Sequence, residues 1–172
     1  MAWNSDGTRM AYRMHTDYLR QLYLNNELAQ GRYVAAGQRV NLGNIRVPMF
    51  VVGTETDHVA PWRSVFKLEQ LVRSPEYTFV LTSGGHNAGI ISGPQHPRRR
   101  HRIHTTRPGE HSLSADEYMA QAELRQGSWW PTWNEWLAAH SGPEQVAPPS
   151  IGAAERGYEP LAEAPGTYVR VR

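Results

Sequence analysis

Two short apolar runs with one amphipathic segment between them set the strongest limit on this fold. The first is Val47-Pro48-Met49-Phe50-Val51-Val52-Gly53 and the second is Tyr77-Thr78-Phe79-Val80-Leu81-Thr82. Each is strand-length, rich in β-branched and aromatic residues, and patterned like a buried strand. Pro48 stands at the start of its run, where a missing N–H is tolerated. Between the runs, residues 61–71 place Val65, Leu68 and Leu71 at three-residue steps on one helical face. Strand, helix, strand at this spacing is a βαβ unit, so the two strands should be parallel and joined by a right-handed crossover. The expected class is therefore α/β.

Around this unit the chain divides into three regions. Residues 1–32 begin turn-like and continue with Met14, Tyr18 and Leu22, and Leu19 and Tyr23, at helical spacing. That stripe would face a core or a partner. Residues 33–142 hold the βαβ unit. A small hairpin precedes it, with Arg32-Tyr33-Val34 and Gln38-Arg39-Val40 flanking Ala35-Ala36-Gly37. Residues 102–106 read as a short edge strand. Ser114 and Glu117 form a capping-box pattern for a helix running to about Leu124. Ser128 then caps a helix over 129–140 with Pro131 in its first turn. Residues 143–172, rich in Pro, Gly, Ala and Glu, read as an extended tail.

Composition narrows the chemistry. The 172 residues carry 40% hydrophobic and 20% charged side chains, a globular balance that can bury a useful core. No run of eighteen apolar residues occurs, so no transmembrane helix is expected. Met1 to Gly7 lack a charged-then-apolar leader, and no secretory signal is expected. The net charge is +2 and the pI about 9.1. That weak basicity does not imply nucleic acid. The chain contains no cysteine, which excludes disulfides, thiolate metal sites and a cysteine nucleophile within these residues.

Both strands run into chemically loaded loops. Thr54-Glu55-Thr56-Asp57-His58 follows the first and Ser83-Gly84-Gly85-His86-Asn87 follows the second. Parallel strands put both loops on one edge, the edge at which open α/β sheets bind ligands. Strands lie about 5 Å apart, so Asp57 and His86 can meet. A carboxylate bonded to an imidazole fixes its tautomer and stabilises its cation. The Asp-then-His order is the back half of an α/β-hydrolase triad. On pattern alone, an equal reading is that Asp57 caps a turn and His86 is a loop histidine. Gly84 and Gly85 remove side chains where the loop would approach a reacting centre. No Gly-x-Ser-x-Gly or Gly-x-Cys-x-Gly elbow occurs, and Ser83 lacks the preceding glycine. The pair therefore has no nucleophile to activate.

At these residues the sequence resembles the C-terminal part of a polyhydroxyalkanoate synthase. Asp57-His58-Val59-Ala60-Pro61-Trp62 is similar to the family's catalytic aspartate motif, and Gly85-His86-Asn87-Ala88-Gly89-Ile90 to its catalytic histidine motif. Trp3-Asn4-Ser5-Asp6-Gly7-Thr8 and the run from Tyr18-Leu19-Arg20 to Glu27-Leu28 resemble its earlier motifs. Gly127-Ser128-Trp129-Trp130-Pro131 with Trp133 and Trp136, and Ala164-Pro165-Gly166-Thr167-Tyr168-Val169, resemble its closing ones.

The resemblance implies an incomplete α/β-hydrolase fold made of a βαβ unit plus C-terminal helices. Residues 1–32 would then be the end of a cap-like or lid-like helical segment. It also implies acyl transfer from a 3-hydroxyacyl coenzyme A thioester to a growing polyester, with coenzyme A as part of the substrate and no separate cofactor. Carried over by motif, Asp57 and His86 are the catalytic aspartate and histidine, and His58 and Gly85 support them. The cysteine elbow would lie outside this segment, so the chain alone should not turn over substrate. The implied partners are a polymer granule surface and, for the full-length family, a second subunit, in a cytoplasmic setting. Two other readings stay open at this point. One is a fragment of an esterase or depolymerase whose elbow carries serine. The other is a non-catalytic granule-associated module.

Other features have plainer expectations. The tryptophans at helical spacing in 129–137 should be core, with polymer contact as the sharper alternative. Arg98-Arg99-Arg100-His101-Arg102 reads as a solvated loop that could instead meet coenzyme A phosphates. His96, His101, His104 and His111 are scattered over loop-like sequence, and no metal is expected.

Overall fold

The computed structural model describes residue 7, residues 9–150 and residues 152–167. The Trp3-to-Thr8 motif, apart from Gly7, and the Tyr168-Val169 end of the closing motif lie outside the described residues. The chain divides into two compact units. One comprises residues 1–18 and 142–172, and the other residues 19–141.

In the first unit the described structure is small. Helix α1 spans Tyr12–Asp17. A single 3-10 turn, Ala154–Arg156, is closed by a bridge between Ala153 and Tyr158. Most of the remaining tail is exposed and without regular structure.

In the second unit, residues 19–24 belong to π-helical turns assigned over Tyr18–Leu24. A wider turn breaks the three- and four-residue stripe expected there, and Tyr23 and Leu24 face solvent. Strands β1 (Val34–Ala35) and β2 (Gln38–Arg39) form an antiparallel hairpin. Ala36 and Gly37 both adopt positive φ, 49° and 77°, the conformation a two-residue hairpin turn requires.

The main sheet has four strands. They are β3 (Met49–Thr54), β4 (Tyr77–Thr82), β5 (Arg100–Thr106) and β6 (Glu123–Gln126), in spatial order β3-β4-β5-β6. β3 and β4 are parallel, in register from Met49 opposite Tyr77 to Thr54 opposite Thr82. The other two pairings are antiparallel, so the sheet is mixed. β3 and β6 are its edges.

Three expectations are corrected here. The crossover helix is shorter than 61–71: α2 covers Trp62–Phe66 and tightens into a 3-10 turn over Lys67–Gln70. The segment expected as an edge strand starts two residues earlier, at Arg100, and lies inside the sheet between β4 and β6. Arg100, His101 and Arg102 are thus sheet rather than solvated loop. The capped helix α3 covers Ala115–Gln121 and stops before Leu124, because Ala122 turns to extended backbone and starts β6. The polar Glu-Leu-Arg-Gln of β6 carries no strand signal of its own. Its pairing with β5 makes it one. The capping box itself is formed, with Ser114 Oγ accepting from Glu117 N–H and the Glu117 carboxylate accepting from Ser114 N–H.

Every residue of β4 is buried. Alternation sends Tyr77, Phe79 and Leu81 to one face and Thr78, Val80 and Thr82 to the other. On the first face Phe66 of α2 and Tyr118 of α3 pack edge-on against Phe79, with ring centroids 4.9 and 5.2 Å away. Met49, Val51, Leu113 and Ala122 belong to the same cluster. On the other face, helix α4 (Trp130–Ala139) and the preceding Trp129 cover Phe50, whose ring lies 6.2 Å from Trp129 and 5.7 Å from Trp136. Trp129 is buried, while Trp133 and Leu137 are exposed, so the tryptophan stripe is core on one side only. Gly53 lets α2 approach β3: a Cβ there would stand 3.2 Å from both Trp62 and Phe79.

Buried His101 bridges β5 to the start of α4. Its Nδ1–H donates to the Gly127 carbonyl at 3.2 Å, and Thr132 Oγ1 lies 3.4 Å from Nε2. A carbonyl only accepts, so Nδ1 carries the proton. Burial, helped by the nearby Arg125 charge, pushes the His101 pKa below the ordinary imidazole value. Among the described residues no helix is long and apolar enough to cross a membrane.

Candidate active site

The sheet itself brings the two loops together. β3 and β4 are direct neighbours with no strand between them. Their hydrogen bonding continues past the strand ends, with Glu55 N–H donating to Thr82 O at 2.9 Å and Thr56 N–H to Gly84 O at 3.1 Å. Asp57 and His86 therefore emerge side by side.

His86 Nδ1 lies 2.9 Å from Asp57 Oδ2 and 3.1 Å from Oδ1. The Asp57 side chain is 8% exposed and that of His86 43%. The carboxylate is held from three other directions. Val59 and Ala60 N–H groups each donate to Oδ1 at 2.8 Å, and the Thr54 hydroxyl donates to Oδ2 at 3.4 Å. Burial works against the charged carboxylate. The N–H bonds from Ala60 and Val59 and the His86 imidazole outweigh it and lower the Asp57 pKa to about 2. Asp57 is thus an acceptor across the working pH range, and the proton between the residues sits on Nδ1. Nε2 is left as the basic nitrogen, and it makes no hydrogen bond among the described residues.

Asp57 also does what the plain reading assigned to it, since it caps the 57–60 turn. The same carboxylate performs both roles. His58 is exposed and joins the pair through no hydrogen bond. Gly85 sits against Thr56, where an added Cβ would be 3.7 Å away, an ordinary contact. The tight positions are its neighbours. Gly84 has φ of 114° and its Cβ would meet Arg99 Nη1 at 2.8 Å, while that of Gly89 would meet Thr54 Cγ2 at 2.6 Å.

Ser83 cannot serve as a local nucleophile in this arrangement. Its hydroxyl is buried and accepts from Arg100 N–H at 3.2 Å, as part of the β4–β5 ladder. Among the described residues no group of three or more His, Asp or Glu is gathered to hold a metal ion.

The residues that hold the histidine loop stood out in the sequence only as a tryptophan motif and a basic run, with no sign of this role. Trp129 Nε1–H donates to Gly89 O at 3.3 Å, Trp130 Nε1–H to Ile90 O at 2.9 Å, and the Ser128 hydroxyl to Ser92 O at 2.6 Å. Arg99 donates to Ala88 O at 2.8 Å. Indole N–H groups usually find partners when buried, but nothing in the spacing names a loop forty residues upstream.

Fold and site together define an α/β protein with an acid–base couple at the exits of adjacent parallel strands. Comparison with known proteins carries this further. The chain is 37% identical over 172 residues to the poly(3-hydroxyalkanoate) polymerase subunit PhaC of Rhizobium meliloti, covering 99% of this chain and 26% of that protein. It is 38% identical over 172 residues to the poly(3-hydroxyalkanoate) polymerase of Methylorubrum extorquens, with 99% and 27% covered. Against the PhaC subunit of Cupriavidus necator it is 35% identical over 171 residues, with 99% and 28% covered. No family model matches. The chain matches a C-terminal portion of polyhydroxyalkanoate synthases and spans about a quarter of the length of these relatives.

Proposed function

We propose that this chain is the acid–base portion of a polyhydroxyalkanoate synthase, an acyltransferase that builds polyester from 3-hydroxyacyl-coenzyme A. The 2.9 Å bond between His86 Nδ1 and Asp57 Oδ2 carries the reading. It leaves Nε2 as a base of fixed tautomer at a sheet edge. The thiol it would act on must come from outside these residues, because they contain no cysteine.

In this reading His86 Nε2 takes the thiol proton as the sulfur attacks the thioester carbonyl. The carbon–sulfur bond to coenzyme A breaks, and the proton passes to the departing thiolate. A hydroxyl of another acyl unit then attacks the enzyme thioester, with the same imidazole accepting its proton and returning it to the cysteine sulfur. Asp57 holds Nδ1 throughout and stabilises the imidazolium. The sheet belongs to an incomplete α/β-hydrolase fold, in which residues 1–32 form the end of a cap-like segment. The working enzyme is a cytoplasmic homodimer at the surface of the polymer granule.

A chimera tests this. This chain replaces the matched C-terminal portion of the Cupriavidus necator polymerase, and coenzyme A release from 3-hydroxybutyryl-coenzyme A is followed. The expected result is turnover by the chimera and none by the chain alone. An active chimera that keeps its rate after His86→Ala, or a well-folded chimera with no turnover, overturns the proposal.

A further inference from the structure

We infer that Arg99 is a positioning residue for His86, holding the histidine loop at three points. The loop runs from Ser83 at the end of β4 to Ser92 and carries His86 between two anchor points. The Arg99 guanidinium reaches its beginning, middle and end. Nη1 donates to Ser83 O at 3.3 Å, Nη2 to Ala88 O at 2.8 Å and Nε to Ser92 Oγ at 2.7 Å. The Ser92 hydroxyl in turn donates to Ala88 O, closing the set.

All three acceptors are uncharged oxygens. Among the described residues Arg99 faces no carboxylate, so its charge is used only by the loop. Hydrogen bonds from a cation are about twice as strong as neutral ones. Only a planar fork of five donors can reach three such acceptors at once. A lysine offers one nitrogen on a flexible stem. The close fit at Gly84, where even a Cβ would collide with Nη1, shows that the guanidinium and loop backbone are in direct packing contact. Arg99 precedes β5, so it ties the loop to the interior of the sheet. The importance for catalysis rests on the function proposed above. The effect on His86 geometry does not.

The test reads the His86 tautomer in the purified 172-residue chain, with ring-labelled histidine and two-bond proton–nitrogen correlation at about pH 9, where an ordinary imidazole is neutral. The parent should show His86 protonated at Nδ1. Arg99→Gln should invert the Nδ1:Nε2 ratio, because the loop no longer keeps the imidazole on Asp57. Arg99→Lys should fail to restore it. Ser92→Ala, which removes only one anchor, should shift the ratio part-way. The thermal midpoint and the ring signals of Tyr118 report on the core, and they should stay near parental values. If Arg99→Gln unfolds the chain, Ser92→Ala decides. A parental ratio in folded Arg99→Gln, or full restoration by lysine, overturns the inference. A chimera without turnover in which the tautomer still responds would overturn the polymerase reading and leave Arg99's role standing.

Discussion

The hydroxyl of Tyr118 donates to the carbonyl of Arg102 at 3.0 Å, pinning helix α3 to the interior strand β5. The same oxygen lies 3.3 Å from the carbonyl of Phe79. Tyr118 is fully buried, and its ring packs edge-on against Phe79 and at a tilt against Phe66 and Trp62. Removing the hydroxyl and removing the ring should thus separate cleanly. Tyr118→Phe should cost about 1 kcal/mol of stability. Tyr118→Ala should cost about 3–5 kcal/mol through the cavity it leaves. Urea unfolding of the two variants checks the difference.

In the chimera, His86→Ala should lower turnover about 10²–10⁴-fold, the range for losing a positioned acid–base group. Asp57→Asn should fall in the same range. An amide can donate to Nδ1 and so favours the wrong tautomer. Substrate saturation should change less than kcat in both variants, as measured by steady-state coenzyme A release.

Acid should act on Asp57 with a definite sign. Its pKa is lowered to about 2 from an ordinary 3.8, so the folded state binds the proton more weakly than the unfolded one. The stability this contributes is fully present above the unfolded value. It is lost as pH falls towards about 2. The difference in stability between the parent and Asp57→Asn should therefore shrink across that interval, as acid titrations followed by denaturant melts would show.

His101 should respond at milder pH. Its folded pKa lies below the ordinary imidazole value, so the unfolded state binds the proton more readily. The chain should lose stability as pH falls through about 6.5, the ordinary imidazole value. His101→Asn keeps a donor for Gly127 O and has no proton to gain. It should flatten that part of the curve, measured as thermal midpoint against pH.

The glycines of the histidine loop should rank in an order the motif alone does not give. Gly89→Ala forces a Cβ against Thr54, whose hydroxyl is engaged with Asp57 and whose side chain is buried. Overpacking of this kind costs about 1–3 kcal/mol. Gly85→Ala meets only ordinary contacts and should be close to neutral. Thermal melts of the two variants give the ranking directly.

The parallel pair β3 and β4 was legible because parallel strands covered on both faces are largely apolar, and both runs are, although β3 at the sheet edge is only half-buried. The Asp57–His86 contact followed from topology, since parallel neighbours deliver their exit loops to one edge. β6 was not legible. Glu123-Leu124-Arg125-Gln126 has no apolar alternation, and only the exposed backbone edge of β5 makes it a strand. Arg99 was hidden for a related reason. In sequence it is one arginine in a basic run, and its three acceptors are backbone or hydroxyl oxygens that no residue pattern encodes. The same holds for Trp129, whose burial was expected from spacing, and for Trp130, since the N–H partners of both depend on how α4 lies against the sheet.

The two edges of the main sheet differ in kind. β6 ends the sheet with Glu123 and Arg125, paired to each other at 2.7 Å on a largely exposed strand. Charged edges of this sort discourage further pairing. β3 ends the other side with Met49, Phe50, Val51 and Val52, only half-buried and unpaired outward among the described residues. The apolar side chains lie at the β3 edge and the charged ones at the β6 edge, so a further strand paired beside β3 would cover surface that is now half-exposed.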